Sequence, residues 1–273
     1  MPSEPEYVFT RDYIDNNRIN LQHYLWVELF GYLTYPKIPT SDPNLRIADI
    51  GTGTGIWLTD LEARLPNSVQ LDALDVSFAA TPPPKWVPSN VTLRYWDVKA
   101  DVPEDLVGVY DIVHIRNFAF VLTNDDVQSV TESFVRMLRP GGYLQWGEVD
   151  VASFRIETLN PDTTVEALRE LLRLSQGQDS RLKPTWVPRL PGLLSDVGLV
   201  EVESDVKDAP PHLALAKHEC NLLMHHVFIN KTSNEALAQA LAELLPKVAR
   251  ETREGAYWAF TRWTVIGRKP IGL

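Results

Sequence analysis

Residues 49 to 55 read Asp-Ile-Gly-Thr-Gly-Thr-Gly, so an acid precedes glycines at alternate positions 51, 53 and 55. That spacing lets a chain turn sharply and lets a ligand approach the backbone amides at a helix amino terminus. A dinucleotide fingerprint would continue with glycine or alanine at position 56, which is Ile56, and the Gly-Lys-Ser/Thr of a phosphate-binding loop is absent. Asp75 follows Gly55 by 20 residues, where a carboxylate can accept both hydroxyls of a ribose, and Asp97 ends a further strand-like run. Three acids at successive strand ends make an anionic cleft. Such a cleft repels pyrophosphate and suits a nucleoside that carries positive charge. S-adenosyl-L-methionine, with its sulfonium and amino cations, has those properties.

The elements that position these residues alternate. Short apolar runs at Leu45 to Ile50, Val69 to Val76, Val91 to Tyr95 and Asp111 to Ile115 read as strands, and the last ends in Arg116-Asn117. Helices are predicted at about Ile56 to Leu65, stopping before Pro66, and between Thr123 and Leu138, where Val127, Val130, Phe134 and Leu138 recur at helical spacing. Arg139-Pro140-Gly141-Gly142 ends that helix, and Tyr143 to Val149 is a fifth strand. Strands alternating with helices in this way predict an α/β, Rossmann-like, doubly wound sheet, mainly parallel and covered on both faces. Ahead of it, Tyr13 to Tyr32 reads as a helix with Leu21, Leu25, Leu29 and Phe30 on an apolar side, beside Gln22 and His23. Beyond residue 150, Thr163–Leu174 and Ser233–Ala249 are helical in pattern, while Leu199–Asp205 and Tyr257–Gly267 are strand-like and could close the sheet in antiparallel fashion. The helical stretch of about Pro211 to Arg250 is then an insertion over one end of the sheet.

Composition narrows the partners. A chain of 273 residues suits one large α/β domain, and its 26 basic against 36 acidic residues give a formal charge of −10 with no evident basic patch, which disfavours nucleic acid. A small-molecule substrate fits better, and no obligate protein partner is evident. The single cysteine, Cys220, allows no internal disulfide and no thiolate metal site, and no metal centre is expected. Neither a signal-peptide pattern nor an apolar run long enough to cross a bilayer is present, so a cytoplasmic protein with no membrane partner is expected. Eight Trp, nine Tyr and nine Phe form an aromatic excess that needs a use.

The segments IADIGTGTGIW, LDALDVS, RYWDVKAD, YDIVHIRNF and MLRPGGYLQWGE occur in that order between residues 45 and 150. They resemble, in order, the motifs of the class I S-adenosylmethionine-dependent methyltransferases. The amino-terminal YVFTRDYIDNNRINLQHYLW, followed by GTGTGIW, further resembles the fungal small-molecule methyltransferases of secondary metabolism, including the gliotoxin thiol methyltransferase and the global regulator of metabolite clusters. The resemblance implies a single methyltransferase domain with a seven-stranded sheet. Residues 1–44 would be a helical lid, 45–150 the cofactor-binding core, and 151–273 substrate-side helices and closing strands. It implies that Asp49 with Gly51, Thr52, Gly53 and Gly55 holds the methionine part, and Asp75 with Val76 the ribose. Asp97 with Val98 would hold the adenine, and Asn117 and Phe118 would lie near the transferred methyl. Tyr13, Gln22 and His23 would be lid residues over the cofactor.

Methyl transfer is an in-line displacement, so alignment matters most, and a base is needed only where the nucleophile is protonated near neutral pH. Candidate helpers are His23, His114, Glu148, His225 and His226, of which His23 and Glu148 are carried forward; His114, inside an apolar strand, reads better as a satisfied core residue. A small apolar or aromatic acceptor would use Phe120, Trp146, His225 and Phe228, with Phe118, Trp186 and Trp258 as further rings. The expectation is transfer to a thiol of a dithiol secondary metabolite. Transfer to oxygen is the alternative, as is a chain on the same fold that binds the cofactor and acts as a regulator or pericyclase without methylating.

Overall fold

The computed structural model describes residues 11–176 and 184–272. Tyr7 to Thr10 of the amino-terminal motif lie outside the described residues. Seven strands form one sheet in the order β3-β2-β1-β4-β5-β7-β6. Strands β1 (Arg46–Ile50), β2 (Gln70–Asp75), β3 (Val91–Tyr95), β4 (Tyr110–Arg116) and β5 (Leu138–Thr158) run parallel to one another. β7 (Ala256–Arg268) is inserted antiparallel between β5 and β6 (Val200–Lys207). The strand order reverses between β1 and β4, and in open α/β sheets that crevice is where ligands bind.

Helix α1 (Tyr13–Phe30) begins at Asp12, whose side chain accepts from the amides of Ile14 and Asp15, and ends at Gly31, which takes the left-handed conformation at φ +82°. It packs on α6 (Pro211–Lys231), and its buried side carries Leu25, Trp26, Leu29 and Phe30, with the Trp26 and Phe30 rings stacked at 4.9 Å. Leu21, expected on that side, is 40% exposed. The contact with α6 covers one face of α1, and Leu21 is not among the helix's buried residues. α2 (Ile56–Glu62) and α3 (Asp126–Met137) follow β1 and β4, and Trp57, Leu58, Val127, Val130 and Phe134 are buried as amphipathic spacing requires.

Two elements differ from the sequence reading. β5 runs far past Val149, because after a bulge Arg155–Thr158 pairs again with Ala256–Ala259 of β7 and draws both strands out as a ribbon beyond the sheet. α4 (Glu166–Gln176) starts later than Thr163, and it packs against α7 (Glu235–Arg253), whose Glu251 carboxylate accepts the amides of Ala167 and Leu168 at the start of α4. α5 (Leu190–Asp196) precedes β6. Together α6 and α7 occupy the predicted insertion between β6 and β7.

Candidate functional site

The carboxyl ends of β1, β2 and β4 open into a cavity of about 460 Å³ lined by Asp49, Gly51, Thr52, Gly53, Asp75, Val76, Asp97, Val98, Asn117 and Phe118. The volume lies in the range of small-molecule sites. The glycine loop leaves β1 by donating the Gly51 and Thr52 amides to the Leu74 carbonyl, and it reaches α2 at Gly55, which sits at φ +73°. Gly51 itself sits at φ +64°, and a Cβ there would overlap Cε2 and Cζ of Phe118. The loop therefore needs glycine twice over at this position, for its backbone angle and for the ring packed against it.

The two acids nearest the loop are held in place. Asp49 lies opposite His114 in the β1–β4 ladder, and its Oδ1 takes His114 Nδ1 at 2.7 Å while its Oδ2 accepts the Thr52 hydroxyl at 2.7 Å. Burial lowers the His114 pKa, so the ring is neutral near pH 7 and must donate its Nδ1 proton to the carboxylate. Trp57 stacks on the imidazole at 3.7 Å between centroids. His114 is thus a satisfied orienting residue, as expected. Asp75 accepts the Gly53 amide at 2.9 Å and the Ser77 amide at 3.2 Å, and burial raises its pKa against the lowering by those amides.

Beyond Phe118 the wall becomes apolar, with Phe120, Val121, Val149 and Met224, and Glu148 sits at its base. Glu148 is fully buried. Its Oε2 accepts the Phe118 amide at 2.7 Å and Trp146 Nε1 at 3.3 Å, and its Oε1 accepts the Val149 amide at 3.1 Å. Burial nonetheless pushes its pKa up to about 7. An acid raised in the folded state binds a proton there that the unfolded chain has already lost. Stability therefore falls as pH rises from about 4.5 to about 7, by up to about 3 kcal/mol. Urea unfolding of the wild type is expected to show that slope between pH 5 and 8, and Glu148→Gln is expected to flatten it.

Several expected site residues lie elsewhere. Trp146 is completely buried with its ring edge-on to Phe134 and Trp186, two residues back along β5 from Glu148 and inside the core. Trp186 shares that core, and Trp258 is buried in the cluster of α4 and α7. His225 is buried with its ring edge on Trp258, and Phe228 packs in the same cluster, so neither lines the cavity; Met224, one position before His225, does. His226 is exposed. Tyr13 is 75% exposed at the start of α1 and does not reach the cavity, although Gln22 and Ile19 of the same helix do. His23 is no base: its Nδ1 takes Arg116 Nη2 at 3.0 Å and its Nε2 takes Asp60 Oδ2 at 3.0 Å, while burial and the Arg116 charge lower its pKa to about 4.

Arg11, Arg18 and Arg116 also line the cavity, and the sequence reading missed all three. Arg116 ends β4 while Arg11 precedes α1 and Arg18 lies within it, and no spacing pattern joins the three. Among the described residues no group of acids, histidines and cysteine could hold a metal ion, and no helix is long and apolar enough to cross a membrane.

The lining fits S-adenosylmethionine. Gly51 and its neighbours bring the backbone to the cavity without a side chain in the way, and Asp75 sits at the end of β2. Asn117, held at φ +62° with its amide on the Gly147 carbonyl, keeps a buried Oδ1 acceptor without a partner among the described residues, which a cationic amino group could satisfy.

Residues 47–142 match the family described as Methyltransferase domain. Over 182 residues the chain is 35% identical to Methyltransferase grgD of Penicillium sp, covering 63% of this chain and 61% of that protein, so it spans under two thirds of that relative's length. It is 27% identical over 218 residues to N-methyltransferase gliN of Aspergillus fumigatus, covering 76% of this chain and 73% of the relative. A solved phosphoethanolamine N-methyltransferase of Haemonchus contortus, in complex with S-adenosyl-L-methionine, superposes with a TM-score of 0.52 at 16% identity, covering 99% of this chain and 61% of that one; it shows the fold alone. Residues 47–142 thus carry a methyltransferase-domain match, and the five motifs stand in order on a sheet with the topology of the class I S-adenosylmethionine-dependent methyltransferase fold.

Proposed function

We propose that this protein transfers the methyl group of S-adenosylmethionine to a heteroatom of a small secondary metabolite. The observation that carries the reading is one cavity lined both by the glycine loop with Asp75 and by the apolar side chains of Phe120, Val121, Val149 and Met224. Bound there, the cofactor would supply an electron-poor methyl carbon for in-line transfer to a nucleophile, leaving S-adenosylhomocysteine. Asp49, through Gly51, Thr52, Gly53 and Gly55, shapes the methionine end. Asp75 and Val76 take the ribose, and Asp97 and Val98 take the adenine. Asn117 and Phe118 flank the methyl, and Gln22 covers it from α1. Glu148, which lines the cavity with a pKa pushed up to about 7, would receive a proton that the acceptor sheds.

The name of the relative gliN, an N-methyltransferase, favours nitrogen as the acceptor atom. Sulfur is the second reading, supported by the resemblance of the amino-terminal segment to the gliotoxin thiol methyltransferase; a thiol is partly ionised near neutral pH and would place little demand on Glu148. Incubation with S-adenosylmethionine labelled on the methyl group and a panel of amine, amide, dithiol and phenol metabolites tests both. Label in a nitrogen-linked product supports the first reading and label on sulfur the second, whereas no labelled product from any class contradicts methyl transfer. Asp75→Ala is expected to raise the cofactor KM about tenfold to a hundredfold, because it removes a charged acceptor from two hydroxyls. An unchanged KM removes Asp75 from the ribose.

A further inference from the structure

Arg116 ends β4, and its side chain is half-buried in the cavity wall. Its stem passes over Gly147, where a Cβ would stand 3.1 Å from Arg116 Cγ and 2.9 Å from Trp26 Cζ2, and the Trp26 ring lies 5.7 Å from the guanidinium carbon. Among the described residues the head group donates to His23, whose Nδ1 accepts from Nη2 at 3.0 Å. Because His23 is neutral and its Nε2 proton goes to Asp60, that contact aims the guanidinium without cancelling its charge. Asp60 is steadied in turn by Arg64 at 3.0 Å.

No carboxylate among the described residues pairs with Arg116. Asp49 is near enough to favour its charge, but both Asp49 oxygens are already taken by His114 and Thr52. Arg18, the neighbouring cation on the cavity, is paired with Asp15 at 2.7 Å. A half-buried cation on a cavity wall whose neighbour is a neutral acceptor gains from a ligand anion that completes it, and the planar fork of arginine matches a carboxylate.

We propose that Arg116 is the carboxylate anchor of this cavity, and that His23 and Asp60 are the positioning pair that aims it. The anchor deepens the methyl-transfer reading and rests on it. The carboxylate has two sources, the amino-acid tail of the cofactor or an acidic group on the acceptor, and the two give different binding data.

Calorimetric titration separates them. S-adenosylhomocysteine carries the amino-acid tail, and 5′-methylthioadenosine keeps the nucleoside and thioether without it. If the tail is the source, Arg116→Gln is expected to weaken S-adenosylhomocysteine tenfold to a hundredfold while leaving 5′-methylthioadenosine within about twofold, which also shows that the variant is folded. Arg116→Lys, which keeps the charge and loses the fork, gives an intermediate loss and serves if the glutamine variant does not fold. Asp60→Asn, which releases the His23 tautomer, produces a smaller loss in the same ligand only. If the acceptor is the source, both nucleosides are unchanged and binding of indole-3-acetate to the S-adenosylhomocysteine complex is lost in Arg116→Gln. Unchanged affinity for all three probes overturns the anchor and leaves methyl transfer standing. A wild type that binds neither nucleoside overturns both.

Discussion

Gly51→Ala is expected to weaken S-adenosylhomocysteine about a hundredfold, while the protein stays folded. Two costs fall on one position. The first is the left-handed backbone at φ +64°, worth about 1–2 kcal/mol for any residue with a Cβ. The second is steric, since the new methyl overlaps the Phe118 ring. Phe118 cannot yield easily, because its ring is buried and its amide is held by Glu148 at 2.7 Å. Relief must come from the loop, and a shift of about 1 Å at a ligand-facing backbone is enough for a loss of that size. Gly53→Ala is the control: it too is left-handed, at φ +57°, but its Cβ meets nothing closer than 3.9 Å. Calorimetry on both variants, with circular dichroism to establish folding, checks the contrast; equal losses would show that backbone strain alone, without Phe118, sets the effect.

Trp146→Ala is expected to lower unfolding free energy by about 3–5 kcal/mol and to leave cofactor affinity unchanged in the fraction that stays folded. The indole is completely buried on the central part of the sheet, edge-on to Phe134 at 5.5 Å and to Trp186 at 5.3 Å, so its removal opens a cavity that two other large rings cannot close. Denaturant unfolding measures the loss. A change in acceptor KM with little loss of stability would instead return Trp146 to the substrate wall.

How this residue was misplaced says what a sequence can carry. Trp146 and Glu148 have the same parity on β5 and point to the same face, so alternation cannot separate them; two strand residues, about 7 Å, carry the wall of the cavity into the core. β5 is flanked by β4 and β7, and burial on both faces removes the pattern that would distinguish them. The glycine loop was legible because its turn chemistry is local, as were the helices after β1 and β4, whose apolar spacing is local too. The parallel core and the antiparallel addition followed from the order of such elements. Contacts across the fold were not legible. The pairing of His114 with Asp49 spans two strands, and the chain from Arg116 through His23 to Asp60 joins β4, α1 and α2. On α6 the site is built by Met224 rather than by His225 or Phe228, a choice set by the packing of α6 against α1 and α7.

The most direct test of the central claim is titration of the wild-type protein with S-adenosylhomocysteine. The geometry predicts saturable binding of one ligand per chain, displaced by S-adenosylmethionine and unaffected by NAD or ATP, since Asp49, Asp75 and Asp97 stand at the strand ends of the cavity and its glycine loop lacks both the phosphate-binding lysine and the dinucleotide fingerprint. No saturable heat with S-adenosylhomocysteine, or equal binding of NAD, would contradict it.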